Sequence, residues 1–282
     1  YAPETPANAR VIEQYQSGTV TVSWDAVTSD TKKNSLKAEN VTYMVYKPDE
    51  SGYFTVPVLS EATHETSVTF DALEDLTQQE FAQFAVVAFN REVEGKAVST
   101  NSLTIGKPYA MPMTITNPES LQDYVLGVGS GFAKLSFFGT ESFEDGFPGV
   151  DDDYFLGIYS YYGRSSAELL TGNVSLIDAV NPEFSFYMYK LADDDDSHID
   201  ISVTANGVTT PVASFSNTDN MTGQWNQKRL SLEQYKGKNI QLVIKICTEK
   251  MAYAFIDNFS VRESRKHDIG VVGFNLPTVV NA

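Results

Sequence analysis

Cysteine is almost absent from this sequence of 282 residues, since Cys247 is the only one. A single thiol excludes an intrachain disulfide and a cluster of thiolates around a metal. Cys247 ends the alternating run 241–247, so we interpret it as a packing residue of a strand. The chain must therefore draw its stability from its hydrophobic core or from a bound metal.

Histidine and long apolar runs are also scarce. The three histidines are far apart in sequence and none lies in an H-E-x-x-H pattern, which argues against zinc catalysis. No apolar run approaches the roughly 20 residues that span a bilayer, so we predict no membrane span. The glycine-rich stretch 127–131 lacks the G-x-S-x-G spacing of a nucleophile turn and is predicted to be a flexible loop. We therefore predict that the chain is not an enzyme.

Basic residues are few, with 20 Lys and Arg against 37 Asp and Glu, and the formal net charge is −17. A surface of this sign repels phosphate backbones and anionic lipid headgroups, so we predict no nucleic-acid partner. The excess carboxylates favour solubility, and a subset of them is suited to a hard cation such as calcium.

Period-two alternation of apolar and polar residues dominates the chain. In 19–24, valine and tryptophan alternate with serine and threonine, which is typical of a half-buried strand. The runs 41–46 and 84–89 are similar, and turn-forming clusters separate them. Beyond residue 112 no segment shows a convincing helical period, and Asn206-Gly207 is a strong hairpin signal. The sequence therefore predicts an all-β protein.

The first part of the chain carries a recognisable set of positions, namely Pro6, the strand 18–24, Tyr43-Met44-Val45-Tyr46, Leu73 and Val86-Val87-Ala88-Phe89-Asn90. With these positions the chain resembles a fibronectin type III domain from about Ala7 to Ile105. The resemblance implies a β-sandwich. Phe81 or Ala82 stands where the family's corner tyrosine is expected, so an immunoglobulin-like variant stays open.

The second part of the chain resembles a group of jelly rolls, from Met113 to Glu263. Its motifs are, in order, 148–156, 167–171, 181–187, Trp225, Leu232, 235–238 and 255–259. This order is similar to that of MAM domains, cleaved-adhesin domains and choice-of-anchor modules of bacterial surface proteins. The resemblance implies a jelly-roll β-sandwich like that of a carbohydrate-binding module.

These patterns divide the chain into segments. We predict a fibronectin type III-like domain at 1–106, a proline-containing linker at 107–112 and a jelly-roll domain at 113–263. Residues 264–282 begin a new strand-like pattern, so we expect the start of a further truncated domain or a tail.

Asp257 is the candidate metal ligand with the clearest physical argument. Alternation in 255–259 places its carboxylate on the same face as two phenylalanines, and a buried charge needs a cation, hydrogen bonds or a proton. A bulge that turns Asp257 outward is the alternative. The resemblance implies a structural cation held by this aspartate and the acidic segment, which enlists Asp151 or Asp153. We expect calcium, because it prefers several carboxylate and carbonyl oxygens.

An aromatic stretch supplies the candidate ligand-binding residues. Tyr154, Tyr159, Tyr161 and Tyr162 lie close together in sequence and are followed by Arg164. If exposed, these rings can stack on sugars or anchor a peptide, whereas the alternative is that some of them fill the core. For the tryptophan of the jelly-roll motif, the resemblance favours a role in the fold.

The leading functional hypothesis is a non-catalytic module that is secreted or displayed on the cell surface. Cell-surface adhesion or glycan binding by the jelly roll is expected, with a glycan or a surface protein as the ligand. The alternative is that these are accessory or spacer domains of a larger secreted hydrolase or peptidase. A third hypothesis is a purely structural pair of stalk domains.

Overall fold

The structure, a computed structural model, describes residues 1–14, 18–130, 133–139, 149–160, 163–191, 196–249 and 253–264. Across these residues the chain consists of antiparallel β-strands, a single α-helix and short 3-10 turns, which confirms the predicted all-β class. None of the described helices is long and apolar enough to cross a membrane.

The first sandwich is made of short strands. They are β1 (Arg10–Gln14), β2 (Thr19–Ser23), β3 (Val41–Pro48), β4 (Phe54–Pro57), β5 (Ser67–Asp71), β6 (Glu80–Ala82), β7 (Ala85–Asn90), β8 (Val93–Glu94), β9 (Val98–Ser99) and β10 (Leu103–Ile105). One sheet has the order β1-β2-β5, and the other has the order β4-β3-β7-β8 with β9 also paired to β7. Strands β6 and β10 form a separate pair.

The core of this sandwich follows from the alternation in its strands. Val20 and Val22 of β2 are fully buried, and their polar neighbours on the same strand point the other way. Trp24 packs on Tyr43 with ring centroids 5.3 Å apart, and the Tyr43 hydroxyl accepts a hydrogen bond from the backbone N–H of Val27 at 2.8 Å. A tyrosine on β3 thus fixes a backbone segment in this sandwich, although the corner position at 81–82 has none.

The second sandwich contains longer strands. They are β11 (Met113–Ile115), β12 (Val125–Ser130), β13 (Ala133–Gly139), β14 (Tyr154–Ser160), β15 (Ser165–Ser175), β16 (Pro182–Tyr189), β17 (His198–Ala205), β18 (Val208–Ser216), β19 (Trp225–Ser231), β20 (Asn239–Thr248) and β21 (Tyr253–Glu263). The front sheet has the order β13-β14-β21-β16-β19, with β11 also paired to β21. The back sheet has the order β12-β15-β20-β17-β18. The jelly-roll-like sandwich of the prediction is therefore present.

Two local predictions for this sandwich are wrong. A helix, α1 (Pro118–Tyr124), follows β11, and its N-terminus carries a capping box between Asn117 and Ser120 with Pro118 in the first turn. These signals span one short stretch without an apolar period, so a search for periodicity overlooks them. The glycine-rich stretch expected to be a flexible loop forms β12 up to Ser130, because it pairs with β15.

One hairpin prediction is confirmed. Asn206 and Gly207 both adopt positive φ angles, 52° and 76°, and connect β17 to β18. Two successive residues in the left-handed region match the twist of the flanking strands.

The two sandwiches are joined by buried polar contacts as well as by the chain. Gln79 donates its side-chain amide to the carbonyl of Asn173 at 3.0 Å and accepts from the Asn173 N–H at 2.7 Å. Gln241 donates to the hydroxyl of Thr104 at 2.9 Å. Tyr109 of the predicted linker pairs its backbone with β15.

The two sandwiches nevertheless have separate cores. Among the described residues the buried side chains form two clusters, at 11–105 and 113–261. The domain limits themselves stay a prediction, and residues 265–282 lie outside the described part.

We expect Gln79→Ala to destabilise the protein by roughly 1–3 kcal/mol, because it leaves the backbone N–H and C=O of Asn173 without these partners. Gln78→Ala removes an exposed neighbour and should stay within about 0.5 kcal/mol of the unmodified protein. Urea denaturation of both variants measures the difference. Equal stabilities of the two variants would contradict a role for Gln79 in joining the sandwiches.

Candidate functional site

The candidate site lies on the front face, which we define as the outer face of the front sheet. On β16 the side chains of Phe184, Phe186 and Met188 enter the core. The alternate residues Ser185, Tyr187 and Tyr189 point outward, and of these Tyr187 and Tyr189 are half-buried while Ser185 is buried. The pairing of β16 with β19 and β21 places their outward residues on the same face.

One half of the front face is an aromatic cluster outside the core. It consists of Phe138, Phe155, Tyr189, Trp225, Tyr253 and Phe255. Phe155 and Phe255 are buried, with ring centroids 5.2 Å apart. Trp225 contacts Phe155 at 5.8 Å and Tyr189 at 5.3 Å, and it is half-buried. Trp225 therefore packs against other aromatic residues of the fold, as the sequence resemblance implies, and it is also partly exposed to solvent.

Asp257 borders the aromatic cluster on β21. Its neighbour Asn258 has a φ of 55°, and this irregularity breaks the alternation of the strand. Phe255 therefore shares the front face with Asp257, whereas Phe259 enters the core. The prediction that both phenylalanines share the face of Asp257 is wrong for Phe259, since the bulge reverses the pattern there. The bulge does not expose Asp257, which is only 3% accessible.

The carboxylate of Asp257 accepts two backbone hydrogen bonds. The N–H of Val150 donates to Oδ2 at 2.6 Å, and the N–H of Asn258 donates to Oδ1 at 2.7 Å. Burial nevertheless raises the pKa of Asp257 to about 6, and the negative charges of Asp152 and Asp151 act in the same direction. The site thus favours either a proton or a cation at this carboxylate.

Gly149 lies directly against a group of oxygen atoms beside Asp257. A Cβ at this position would overlap the carbonyl oxygen of Tyr154, and it would lie 2.6 Å from the carbonyl oxygen of Asp152 and 3.1 Å from Asp257 Oδ2. Two carbonyls and one carboxylate therefore converge next to a residue without a side chain. This donor set is the kind that calcium prefers.

The other predicted metal ligands differ in their placement. The Asp151 carboxylate accepts a hydrogen bond from the side-chain amide of Asn258, so the acidic loop is tied to the bulge of β21. Asp153 is exposed at the end of the same loop. The structure thus brings Asp151 near Asp257. It also places the backbone carbonyl of Asp152 beside Asp257, and Asp152 was not among the predicted ligands.

A polar groove continues the front face beyond Asp257. Its lining includes Tyr187, Gln227, Asn258 and Arg262, together with Asp151. Tyr187 is paired in register with Asp257 on one side and with Gln227 on the other. An aromatic ring with amide, guanidinium and carboxylate groups beside it is a typical arrangement for a polyhydroxylated ligand.

Of the predicted ligand-binding residues, the structure describes the side chains of Tyr154 and Arg164. Tyr154 is 47% exposed at the start of β14, beside the acidic loop. The backbone of Tyr159 pairs with Tyr253 and Lys134, and its side chain is not described. Tyr161 and Tyr162 lie outside the described residues.

Arg164 belongs to a different surface. Its guanidinium forms two hydrogen bonds with the carboxylate of Glu249, at 2.6 and 2.8 Å, in a groove of the back sheet. The common ligand site of Arg164 and the tyrosines therefore stays a prediction, and in the structure the guanidinium of Arg164 is paired with Glu249.

The titration of Asp257 gives a prediction for stability in calcium-free buffer. Since its folded pKa of about 6 exceeds the ordinary value of 3.8, unfolding releases a proton between these limits, and stability falls as the pH rises through them. The stability of Asp257→Asn relative to the unmodified protein should therefore increase from pH 4 to pH 6.5, by on the order of 2 kcal/mol. Denaturation at several pH values measures this slope, and Asp178→Asn, at an exposed carboxylate, is the matched control. A slope for Asp257→Asn equal to that of the control would contradict the shifted pKa.

Comparison with known proteins finds similarity at the level of fold. No protein-family model matches the chain, and no curated protein matches its sequence. A structure described as concerning the promiscuous specificity of carbohydrate-binding modules of the β-sandwich superfamily covers 93% of this chain and 98% of its own, at 13% identity and a TM-score of 0.39.

Two further structures match single parts of the chain. The K1 cleaved adhesin domain of Lys-gingipain from Porphyromonas gingivalis covers 55% of this chain and 99% of its own, at 11% identity and a TM-score of 0.36. A structure named FN3tt mut covers 38% of this chain and 100% of its own, at 17% identity and a TM-score of 0.28. At these identities and TM-scores the similarity identifies no ligand for this chain.

Proposed function

We propose that this protein is a non-catalytic, extracellular binding module whose front face engages a glycan. The observation that carries the proposal is the continuity of the aromatic cluster with the polar groove that contains Tyr187 and Gln227. Sugar rings present apolar C–H faces to aromatic rings and hydroxyl groups to amides and charged groups. The front face offers both kinds of contact side by side.

The charge of the chain narrows the class of glycan. With a formal net charge of −17, the protein repels sulfated and other acidic polysaccharides at long range. Asp151 lines the polar groove itself and adds a negative charge at the site. A neutral oligosaccharide is therefore the ligand that fits the front face.

We further propose that calcium binds between the acidic loop and β21. The carbonyls of Asp152 and Tyr154 and the carboxylate of Asp257 are its ligands, and Asp151 is close enough to contribute through water. Calcium takes six to eight oxygens at about 2.3–2.6 Å, so water molecules complete the shell. The bound ion would neutralise Asp257 and fix the loop that borders the groove.

The first sandwich is proposed to act as a rigid spacer. The buried hydrogen bonds of Gln79 and Gln241 hold it against the second sandwich, so the front face has a defined orientation relative to the rest of the chain. The same rigidity suits the alternative function, in which both sandwiches are accessory domains of a larger secreted hydrolase or peptidase.

Calcium should raise the midpoint of thermal unfolding. Selective binding to the folded state contributes about 2.7 kcal/mol at a calcium concentration 100 times the dissociation constant. Asp257→Asn and Gly149→Ala should both lose the shift, the first by removing a charged ligand and the second by pushing a methyl group against the three oxygens and displacing them. Asp178→Asn should keep it. Scanning calorimetry in chelator and in calcium makes the comparison. The same midpoint in both buffers, for a sample verified as metal-free at the start, would contradict the calcium site.

Tyr187→Ala should weaken glycan binding about tenfold, equivalent to about 1.4 kcal/mol, because the ring lies in the polar groove. An array of neutral oligosaccharides identifies the ligand, and calorimetric titration gives the affinities. Tyr53→Ala removes an exposed tyrosine of the first sandwich and should have no effect. Unchanged affinity in Tyr187→Ala, or an array without any neutral ligand, would contradict the proposed face.

A further inference from the structure

A second group of metal-binding side chains lies on the back face, which we define as the outer face of the back sheet. His198 and Asp200 alternate on β17 with Ile199 and Ile201, which are buried in the core. Cys247 on β20 is the direct cross-strand partner of His198. Alternation and register therefore bring all three side chains to one patch of the back face.

The geometry of this patch is compact. One ligand atom from each of His198, Asp200 and Cys247 lies within 4.8 Å of the other two. The imidazole Nε2 of His198 is 3.8 Å from Asp200 Oδ2. The other ring nitrogen, Nδ1, faces the backbone carbonyl of Asp196 at 3.3 Å. A histidine whose second nitrogen is directed at a backbone carbonyl has the orientation found for metal-ligating histidines.

His198 and Asp200 are partly exposed, whereas Cys247 is buried at the base of the patch. The patch lies in an open groove that Arg164, Lys245 and Glu249 also line. Lys245 is the cross-strand partner of Asp200, while Arg164 is held by Glu249. Burial raises the pKa of the Cys247 thiol, and the carboxylates of Asp200 and Glu249 add to this effect. Without a cation the thiol therefore keeps its proton.

We propose that His198, Asp200 and Cys247 bind a divalent cation of the zinc class. One imidazole nitrogen, one thiolate and one carboxylate form a donor set that zinc accepts and that calcium and magnesium do not favour. A tetrahedral ion held by these three residues retains a fourth position for water. Binding displaces the thiol proton of Cys247 to solvent, since the thiolate is the ligand. This site is separate from the front face and from the proposed calcium.

The structure confirms that Cys247 is a buried residue of a strand, and it places two further donors beside it. The wide separation of the histidines in sequence does not reveal this arrangement. Forty-nine positions separate His198 from Cys247 in the chain, yet the register of β17 on β20 makes them neighbours. The inference concerns binding at this patch and assigns it no reaction.

Cobalt(II) offers a direct test, because a thiolate bound to cobalt gives an intense charge-transfer absorption and Cys247 is the only cysteine of the chain. Titration of the untagged full chain with cobalt should produce this absorption with one equivalent of metal, and zinc should abolish it by displacement. Cys247→Ser should lack the absorption. His198→Gln and Asp200→Asn should each bind zinc at least tenfold more weakly in competition with a chromophoric chelator.

Two controls separate this site from other sources of binding. His64→Gln, at a histidine of the first sandwich, and Asp257→Asn should both leave the zinc affinity unchanged. Circular dichroism without metal verifies that each variant is folded. Absence of the thiolate absorption in the unmodified protein, or equal zinc affinity in His198→Gln and the unmodified protein, would overturn the proposal. Either result leaves the calcium and glycan proposals intact.

Discussion

The buried carboxylate of Asp257 is the constraint around which the front of the molecule is arranged. Two backbone amides donate hydrogen bonds to it and Phe255 lies on the same face of its strand, but neither the amides nor the ring carries a formal positive charge. The acidic loop adds charges of the same sign and burial raises the pKa to about 6, so a cation beside Asp257 would stabilise its ionised form. The loop folds onto β21, the bulge at Asn258 meets Asp151, and the polar groove begins there. The binding surface thus depends on how this one charge is balanced.

The same sandwich presents different chemistry on its two outer faces. The front face combines hard oxygen donors with aromatic rings, whereas the back face brings a thiol, an imidazole and a carboxylate together. Both sets arise from period-two alternation, because core residues such as Ile199 and Ile256 direct their neighbours outward. Strand register then selects which outward residues meet. A shared core therefore supports both proposed sites, and their donor sets suit different metals.

The sequence predicted the parts of the fold that depend on local pattern. Alternation identified the strands, and Asn206-Gly207 identified a hairpin, because both signals lie within a few residues. Alternation also placed Asp257 on the same face as Phe255, where its carboxylate is buried. Three features were beyond reach: the bulge that separates Phe259 from Phe255, the groove residue Gln227, and the pairing of His198 with Cys247. Each depends on cross-strand register between distant segments, which a single sequence does not reveal.

A crystal structure of the full chain grown with a calcium-mimicking lanthanide tests the central claim most directly. The account predicts an anomalous peak beside Gly149, within about 2.3–2.6 Å of Asp257 Oδ2 and of the carbonyl oxygens of Asp152 and Tyr154. An ordered acidic loop without such a peak, in crystals that carry the lanthanide elsewhere, would contradict it. In that case Asp257 would be balanced by a proton.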